Sequence, residues 1–429
     1  MRVLLAFPDV YEIGMSHLGI LLLREILSAR PGTLCDRVFA PWTDYEEHLR
    51  AAGLPLASLE SGRPAGAFDL LGFSLCYELT YTNVLAMLDL SAIPLLSKDR
   101  SEEHPLVVAG GVCTLNPAPV APFFDALLVG DGEEAVIEIV ALVEEWKKEG
   151  GSRADLLTRL SRIEGVYVPG VSRRVARRVL ADLNRSPLLP APILPAMRVV
   201  HDRLSVEISR GCTRGCRFCQ AGYAYRPVRE RDPLALLRYL QEEAPKTGYD
   251  EVGLLSLSAA DYSCVDRLIT EAMEAFAPSS VSLSLPSLRL DALRENTVRQ
   301  IRKVRKSGFT LAPEAGTSLL RRTLNKEIPD RGPRHLSQPG LGHPARRHGP
   351  RRAGRRVAGR PALLPARDDG ARRRCRRTRG GGLSAPHGEL NDLHEDDALL
   401  QHVLGLDRLL CKAQNAIPTG PSPDCVGSL

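Results

Sequence analysis

Length, composition and charge exclude several broad classes for this 429-residue chain. Hydrophobic residues make up 44% and charged residues 25% of it, which is typical of globular proteins with two or three domains. No apolar run is long enough for a membrane span. Ten cysteines are ordinary usage, and the first ten residues lack the basic and apolar regions of a secretion signal. We therefore expect a cytoplasmic protein with no membrane partner.

The net charge of +6 is a misleading average. Residues 331–380 contain sixteen Arg, two Asp and no Lys or Glu, so this stretch alone carries +14 and the other 379 residues sum to −8. The other 379 residues are mildly acidic, which does not favour general binding to nucleic acids. A nucleic-acid substrate remains an open alternative without support from the charge.

Residues 1–150 are predicted to form a doubly wound parallel α/β sheet, because short apolar runs alternate with helical stretches. The predicted strands are 3–7, 37–40, 69–74, 106–109 and 126–129. Ser74, Gly110, Gly111 and Gly130 lie at the predicted carboxyl ends, where ligands bind in such sheets. Tight turns between strand and helix are the competing interpretation of the glycines.

Residues 151–200 are predicted to be a linker between two domains. Prolines at 187, 190, 192 and 195 favour an extended, semi-rigid segment. Such a connector would let the first domain fold over the mouth of the second.

Residues 201–328 are predicted to begin a (β/α) barrel. The predicted strands are 204–208, 252–257, 281–285 and 309–312, and the predicted helices are one opened by Asp232 and Pro233, one at 265–276 and one at 291–306. Successive β/α units place their active loops at the carboxyl ends of the strands. The barrel is incomplete, because no fifth or sixth strand follows.

Three cysteines, Cys212, Cys216 and Cys219, follow the first strand of this second domain. Three thiolates at this spacing can hold three corners of a [4Fe-4S] cluster and leave one iron open. Zinc is the competing interpretation, but zinc usually has four ligands drawn from two pairs, and no second pair lies nearby. His201 is the nearest other candidate ligand and sits at the opposite end of the predicted strand.

The cysteine triad, with Phe218 directly before its last member, resembles the signature of the radical SAM superfamily. The longer string from Arg210 to Asp232 resembles a family of radical SAM proteins with an N-terminal B12-binding-type domain, and the resemblance extends from residue 1 to about 328. It implies that the cysteines bind the cluster and that its open iron chelates S-adenosylmethionine (SAM). Phe218 would pack beside the cofactor.

The resemblance also implies an enzyme that cleaves SAM reductively to a 5'-deoxyadenosyl radical. A one-electron donor such as flavodoxin or ferredoxin would supply the electron. The substrate is open, and methyl or methylthio transfer to an RNA base or a protein side chain is an analogy at the level of the fold. A noncatalytic iron-sulfur or RNA-binding protein and a structural zinc protein are the alternatives.

Four further residues are predicted to contact SAM. Relatives hold the SAM amino group after the second strand, where this chain has Ser258 and Asp261. Capping of the next helix is the competing interpretation of these two residues. After the fourth predicted strand, Glu314 stands where ribose hydroxyls are commonly bound, and Gly316 permits close approach.

By the same resemblance, the first domain is a cobalamin-binding fold, with Ser74, Gly110, Gly111 and Gly130 beside the corrin. His17 departs from the Asp-x-His-x-x-Gly pattern of cobalt-ligating histidines, so we expect it to pack or cap a helix. Two other expectations concern structural residues. Cys76 and Cys113 are predicted to be buried small apolar residues. Arg226, Arg229 and Arg231 are predicted to form a solvated cluster, with a phosphate-facing cluster as the alternative.

The segment 329–429 does not read as part of a barrel. All 21 aromatic residues of the chain precede it, and Arg, Gly, Pro and Ala dominate its first half. Such a stretch cannot bury enough apolar surface to fold, so disorder is expected. A frameshift in a GC-rich gene and a genuine basic tail that binds RNA are the two explanations of its composition.

Overall fold

A computed structural model describes residues 1–190, 192–289, 292, 295–301, 304 and 312–328. The strands are β1 (Arg2–Phe7), β2 (Leu34–Phe39), β3 (Leu70–Ser74), β4 (Leu106–Gly110), β5 (Ala126–Leu128), β6 (Val166–Tyr167), β7 (Leu204–Glu207), β8 (Ser209–Arg210), β9 (Arg229–Glu230), β10 (Glu251–Leu255) and β11 (Ser282–Ser284). The helices are α1 (Tyr11–Gly14), α2 (Leu18–Ser28), α3 (Thr43–Ala52), α4 (Tyr81–Leu90), α5 (Ala135–Glu149), α6 (Arg153–Leu160), α7 (Ala221–Ala224), α8 (Pro233–Thr247), α9 (Val265–Phe276), α10 (Glu295–Ile301) and α11 (Ser318–Thr323). None of these helices is long and apolar enough to cross a membrane.

The first sheet has the strand order β2-β1-β3-β4-β5-β6. Strands β1 to β5 are parallel, and β6 adds to β5 as an antiparallel edge. The order reverses between β1 and β3, so a crevice opens there at the carboxyl ends of the strands. The predicted doubly wound parallel sheet is confirmed.

Both faces of this sheet are covered because alternate side chains of each strand point to opposite sides. Val3, Leu5 and Phe7 of β1 pack into a core with apolar residues of α2, α5 and α6. Leu4 and Ala6 pack into a second core with α3 and α4. Two apolar layers explain why β1 reads as a continuous hydrophobic run.

The predicted linker at 151–200 was wrong in its first part, which forms α6 and β6. Arg153 of α6 is buried and donates to Asp125 at 2.7 Å, and Arg100 donates to the same carboxylate at 3.2 Å. An arginine in a charged segment is expected to be exposed to solvent. Arg153 is instead buried, because its ion pair with Asp125 compensates for the loss of hydration. The later part of the segment lies along α1, where the backbone N–H of Ala196 donates to the Tyr11 hydroxyl at 2.8 Å.

The second unit contains a parallel sheet with the order β11-β10-β7. Helices α8 and α9 cover it with one apolar core. As predicted, Asp232 caps α8 by accepting from the backbone N–H of Leu234, and Pro233 occupies the first turn. Three successive parallel β/α units agree with the beginning of a barrel.

Three sequence predictions for the rest of the chain fall partly or wholly outside the described residues. Of the predicted helix at 291–306, residues 295–301 are described and form α10. Residues 309–311 of the predicted fourth strand, and all of 329–429, lie outside the described part.

Candidate cluster-binding site

The cysteine loop, residues 211–228, begins at the carboxyl end of the second sheet. It leaves β8 and returns through β9, and these two short strands pair antiparallel and close its base. Gly211 opens the loop at φ +93°, and a Cβ placed there would lie 2.6 Å from the carbonyl oxygens of Tyr225 and Pro227. Only glycine fits this position, because the angle is left-handed and the backbone is already in contact.

The three thiols of this loop are free and half-buried. The backbone N–H of Arg214 donates to Sγ of Cys212 at 3.5 Å, and Nη1 of Arg289 donates to Sγ of Cys216 at 3.7 Å. Among the described residues, no three His, Cys, Asp or Glu side chains converge closely enough to hold a metal ion as placed. The donor set nevertheless suits an anionic iron-sulfur cluster, because it offers three thiols beside the Arg289 guanidinium and a backbone N–H, without a fourth ligand among the described residues.

The loop that follows β10 reaches the cysteine loop through an ion pair. Nε of Arg214 donates to Oδ2 of Asp261 at 2.7 Å, and its Nη2 donates to Oδ1. The Ser258 hydroxyl donates to Asp261 at 2.6 Å. These contacts lower the pKa of Asp261 against the opposing effect of its burial. The two residues predicted to contact SAM therefore lie next to the cysteine loop, with the Asp261 carboxylate engaged by Arg214.

The segment 312–328 supports the cysteine loop from another side. Nδ2 of Asn325 donates to the Gly215 carbonyl at 2.8 Å, and the backbone N–H of Arg217 donates to the Leu324 carbonyl at 3.1 Å. Asn325 itself has φ +53°, a left-handed conformation that asparagine tolerates. The conformation of the turn after α11 thus allows these hydrogen bonds to the cysteine loop.

Phe218 and Glu314 are brought together by Lys326. The ammonium of Lys326 lies 2.9 Å from Oε1 of Glu314 and 5.9 Å from the ring centroid of Phe218. The Phe218 side chain is exposed, with 47% of its surface accessible. Within the described part of the chain, no atom lies within 4 Å of a Cβ added at Gly316, so space is open beside it.

A buried network of charges joins the first sheet to the base of the cysteine loop. Arg210 donates to Asp131 at 3.0 Å, to Glu133 at 2.7 Å and to Glu207 at 2.8 Å. Arg229 also donates to Asp131. Burial alone would raise the pKa of Asp131, but the charge of Arg210 and the hydrogen bond from Arg229 lower it. The carboxylate therefore stays ionised inside the protein.

The prediction of a solvated arginine cluster was wrong for two of its three members. Arg229 and Arg231 are buried, and Arg231 donates to the Ser186 carbonyl at 2.6 Å. Arg226 is exposed and lies 4.4 Å above the Tyr223 ring. Burial of Arg229 is possible because Asp131 and the Leu180 carbonyl accept from its guanidinium, whereas Nε of Arg231 has no hydrogen-bond partner among the described residues.

The predicted cobalamin residues lie at the carboxyl edge of the first sheet, and α7 of the cysteine loop packs against residues 112–115 at this edge. Gly111 and Gly130 have positive φ, and an added Cβ would meet the backbone of Leu75 or Arg178 within 2.5 Å. Their lack of a side chain is thus explained by chain packing. Gly110 has open space around it, and Ser74 ends β3 half-buried.

His17 caps α2, as expected, with Nδ1 accepting from the backbone N–H of Ile20 at 3.3 Å. Its Nε2 lies 3.3 Å from Sγ of Cys76, so both ring nitrogens have partners. Burial lowers the pKa of His17 to about 4 and raises that of Cys76 to about 11. Cys113 is buried as predicted, whereas Cys76 is half-buried and contacts this histidine.

Sequence reasoning missed four residues that shape the site: Arg214, Arg289, Asn325 and Asp131. Arg289 carried a usable signal, because it is a charged residue shortly after a predicted strand. Asp131 lies between Gly130 and Gly132, and a glycine-rich turn indicates close backbone approach but not a buried ion pair. Asn325 carried no signal, since its role depends on a contact 110 residues away.

Comparisons with known proteins agree with this two-part organisation. The family model for the N-terminal part of radical SAM proteins matches residues 19–169, and the radical SAM superfamily model matches residues 206–331. An uncharacterised protein of Methanocaldococcus jannaschii is 27% identical over 335 residues, which cover 77% of this chain and 64% of that protein. The chain thus spans less than two thirds of the length of this curated relative.

Two solved structures of the radical SAM methyltransferase TsrM from Kitasatospora setae also match. One contains tryptophan and a SAM analogue, and the other contains cobalamin and a [4Fe-4S] cluster. The TM-scores are 0.47 and 0.48 at 14% identity, with 71% of this chain and 57% of each solved chain covered.

Proposed function

This chain carries the two family domains of a radical SAM protein, and from that premise we propose that it binds a [4Fe-4S] cluster and SAM and cleaves SAM reductively. The observation that carries the proposal is the cysteine loop, which presents three free thiols at the carboxyl end of a parallel sheet beside Arg214 and Arg289. Active loops of β/α barrels lie at this end.

The proposed roles follow from the contacts. Cys212, Cys216 and Cys219 would hold three irons. When bound, the reduced cluster would supply one electron to SAM, and cleavage of SAM to methionine would supply a 5'-deoxyadenosyl radical. Arg289 places positive charge beside the thiols, which favours an anionic ligand there.

The protein's other groups would bind and orient SAM. Ser258 offers a hydroxyl oxygen for an ammonium group, and the Asp261 carboxylate already holds Arg214 in place. Glu314 offers a carboxylate for ribose hydroxyls, with Gly316 leaving room beside it. Phe218 exposes an apolar ring that a bound cofactor would cover.

Three finer parts of the proposal rest on resemblance. The carboxyl edge of the first sheet, with open space at Gly110, would receive cobalamin without ligation by His17. A flavodoxin or ferredoxin would supply the electron. Methyl or methylthio transfer is the proposed reaction class, and the acceptor is left unassigned.

The test is anaerobic reconstitution of the full chain with iron and sulfide, followed by EPR of the reduced protein with and without SAM. We expect a cubane signal that shifts when SAM is added, together with release of 5'-deoxyadenosine. In a parallel titration with hydroxocobalamin, a change in the visible spectrum of the cobalamin would report its binding to the first domain. A protein that takes up zinc and stays colourless would overturn the proposal.

A matched pair of variants assigns the effect to the loop. Cys216→Ala removes one proposed ligand, and we expect it to abolish the cubane signal. Cys264→Ala removes another free, half-buried thiol outside the loop and should leave the signal unchanged. Equal iron content in the two variants would contradict the assignment of the ligands.

A further inference from the structure

Two arginines join the first domain to the base of the cysteine loop, and Arg210 makes the more extensive set of ion pairs. Arg210 stands two residues before Cys212 and is the last residue of β8. Its guanidinium reaches Asp131 and Glu133 in the turn after β5, and it also reaches Glu207 at the end of β7. One arginine therefore connects the carboxyl edges of both sheets.

These contacts are protected from water. The side chains of Arg210, Asp131 and Glu133 are 13%, 5% and 7% exposed. Burial opposes the charge of Arg210, but the hydrogen bond and charge of Glu207, followed by those of Glu133, outweigh it and raise the pKa. Screening by salt is weak in such a place, so the ion pairs act as fixed links.

The planar guanidinium makes the link directional. Nη1 donates to Asp131 at 3.0 Å, Nη2 donates to Glu133 and Glu207, and Nε donates to Glu207 at 3.0 Å. A guanidinium held at all three of its nitrogens has little freedom to turn. Lysine could keep the charge at this position but not the geometry.

We propose that Asp131 and Glu133 are positioning residues, which fix the start of the cysteine loop from the first domain by holding Arg210. The inference rests on the proposed function for its consequence, since a fixed loop start would keep three thiols ready for one cluster. Its structural content is independent of any cluster. Without the carboxylates of Asp131 and Glu133, the cysteine loop should unfold locally more often.

The first test uses the full chain without metal and measures alkylation of each cysteine by iodoacetamide with peptide mass spectrometry. In Asp131→Asn we expect Cys212 to react about tenfold faster than in the wild type, because loss of a buried charged partner favours local opening. Cys264 should keep its rate. The control Asp155→Asn changes an exposed carboxylate of the same domain and should leave every rate unchanged.

Equal Cys212 rates in Asp131→Asn and the wild type would overturn the proposal. If the buried Cys35 and Cys113 also become reactive, Asp131→Asn has unfolded the first domain, and Glu133→Gln then decides by the same comparison. Arg210→Lys keeps the charge, and a Cys212 rate equal to that of the wild type in this variant would contradict the directional link.

The second test connects the clamp, which we define as the ion pairs of Arg210 with Asp131 and Glu133, to cluster binding. After reconstitution, we expect Asp131→Asn to retain less iron per chain than Asp155→Asn and to show a broadened EPR signal. Failure of the wild type to bind iron would refute the proposed function, while faster alkylation in Asp131→Asn would still support the clamp. Normal alkylation with a normal cluster would refute the clamp alone.

Discussion

At the scale of single residues, the site depends on backbone positions that admit no side chain. Gly211 begins the cysteine loop with two carbonyl oxygens 2.6 Å from where a Cβ would stand. Gly248, which ends α8 at φ +70°, has no atom of the described residues within 4 Å of the same point. Both glycines have a left-handed backbone, but only Gly211 has other atoms close to the position of a Cβ. Comparing substitutions at the two positions therefore separates the energy of the backbone conformation from the energy of a steric clash.

Alanine at these two positions should therefore have unequal costs. We expect Gly248→Ala to lower the free energy of unfolding by about 1 kcal/mol, the price of the left-handed angle. Gly211→Ala should cost about 3 kcal/mol, because the new methyl group also displaces the Tyr225 and Pro227 carbonyls. Urea unfolding of the metal-free protein measures both, and equal midpoints would show that the loop relaxes freely around the methyl group.

At the scale of elements, α2 begins on a neutral histidine. Nδ1 of His17 can accept from Ile20 only while it is unprotonated, and burial lowers the pKa of this side chain to about 4. The unfolded chain has the ordinary value of 6.5. The folded state therefore binds fewer protons than the unfolded state between pH 4 and 6.5, and stability rises with pH across this window.

The cap should give the protein a measurable pH dependence. His17→Asn keeps an N-cap acceptor and removes the titration. We expect the wild type to lose up to about 3 kcal/mol relative to His17→Asn as the pH falls from 6.5 to 4. His48→Asn, a change at an exposed histidine of α3, is the control. A wild-type curve parallel to that of His17→Asn would refute the lowered pKa.

The turn after α11 is a second element whose effect reaches the site. Asn325→Asp keeps the shape and the tolerance for positive φ, but it replaces the amide donor by a carboxylate facing the Gly215 carbonyl. We expect faster hydrogen exchange in peptides covering 211–217, by about tenfold for a lost bond worth about 1.4 kcal/mol. Asn184→Asp, in the segment between the sheets, is the matched control and should leave exchange in 211–217 unchanged. Unchanged exchange of these peptides in Asn325→Asp would contradict the proposed support of the cysteine loop by Asn325.

The bounds of helices and strands could be predicted where the apolar pattern and the capping residues determine them. They were harder to predict where charged residues are buried. The start of α8 at Asp232 and Pro233 was right because its signals are local. Strand β2 begins at Leu34 rather than at the predicted residue 37, and the prediction missed its start because the charged Asp36 is buried there. Asp36 accepts from the Ser58 hydroxyl and Arg37 pairs with Glu60, partners that composition does not reveal.

The same limit explains the site. The cysteine triad and its place after a strand were visible in the sequence, since they depend on adjacent residues. Arg289 contacts Cys216 across 73 positions, and Arg210 contacts Asp131 across 79. Such pairings are set by how the two sheets meet, so a reading of neighbouring residues could not supply them.

At the scale of the whole molecule, the boundary of the first domain lies beyond residue 150. Leu156 and Leu160 of α6 and Val166 of β6 are buried in the same core as β1 and α5. Arg153 closes the ion pairs around Asp125, whose side chain has no exposed surface. A chain that stops at 150 would leave this core open and Asp125 with Arg100 as its remaining buried charged partner.

Fragments should therefore fold according to the structure and not according to the predicted linker. We expect residues 1–200 to give a fixed near-ultraviolet circular dichroism signal and a cooperative urea transition, because both cores of the first sheet are complete. Residues 1–150 should lack both. Arg153→Met in the longer fragment keeps the buried length but removes the charge, and it should cost about 3 kcal/mol while leaving the transition cooperative. A cooperative transition of 1–150 at the same urea concentration as 1–200 would restore residues 151–200 as a linker that merely lies on a finished domain.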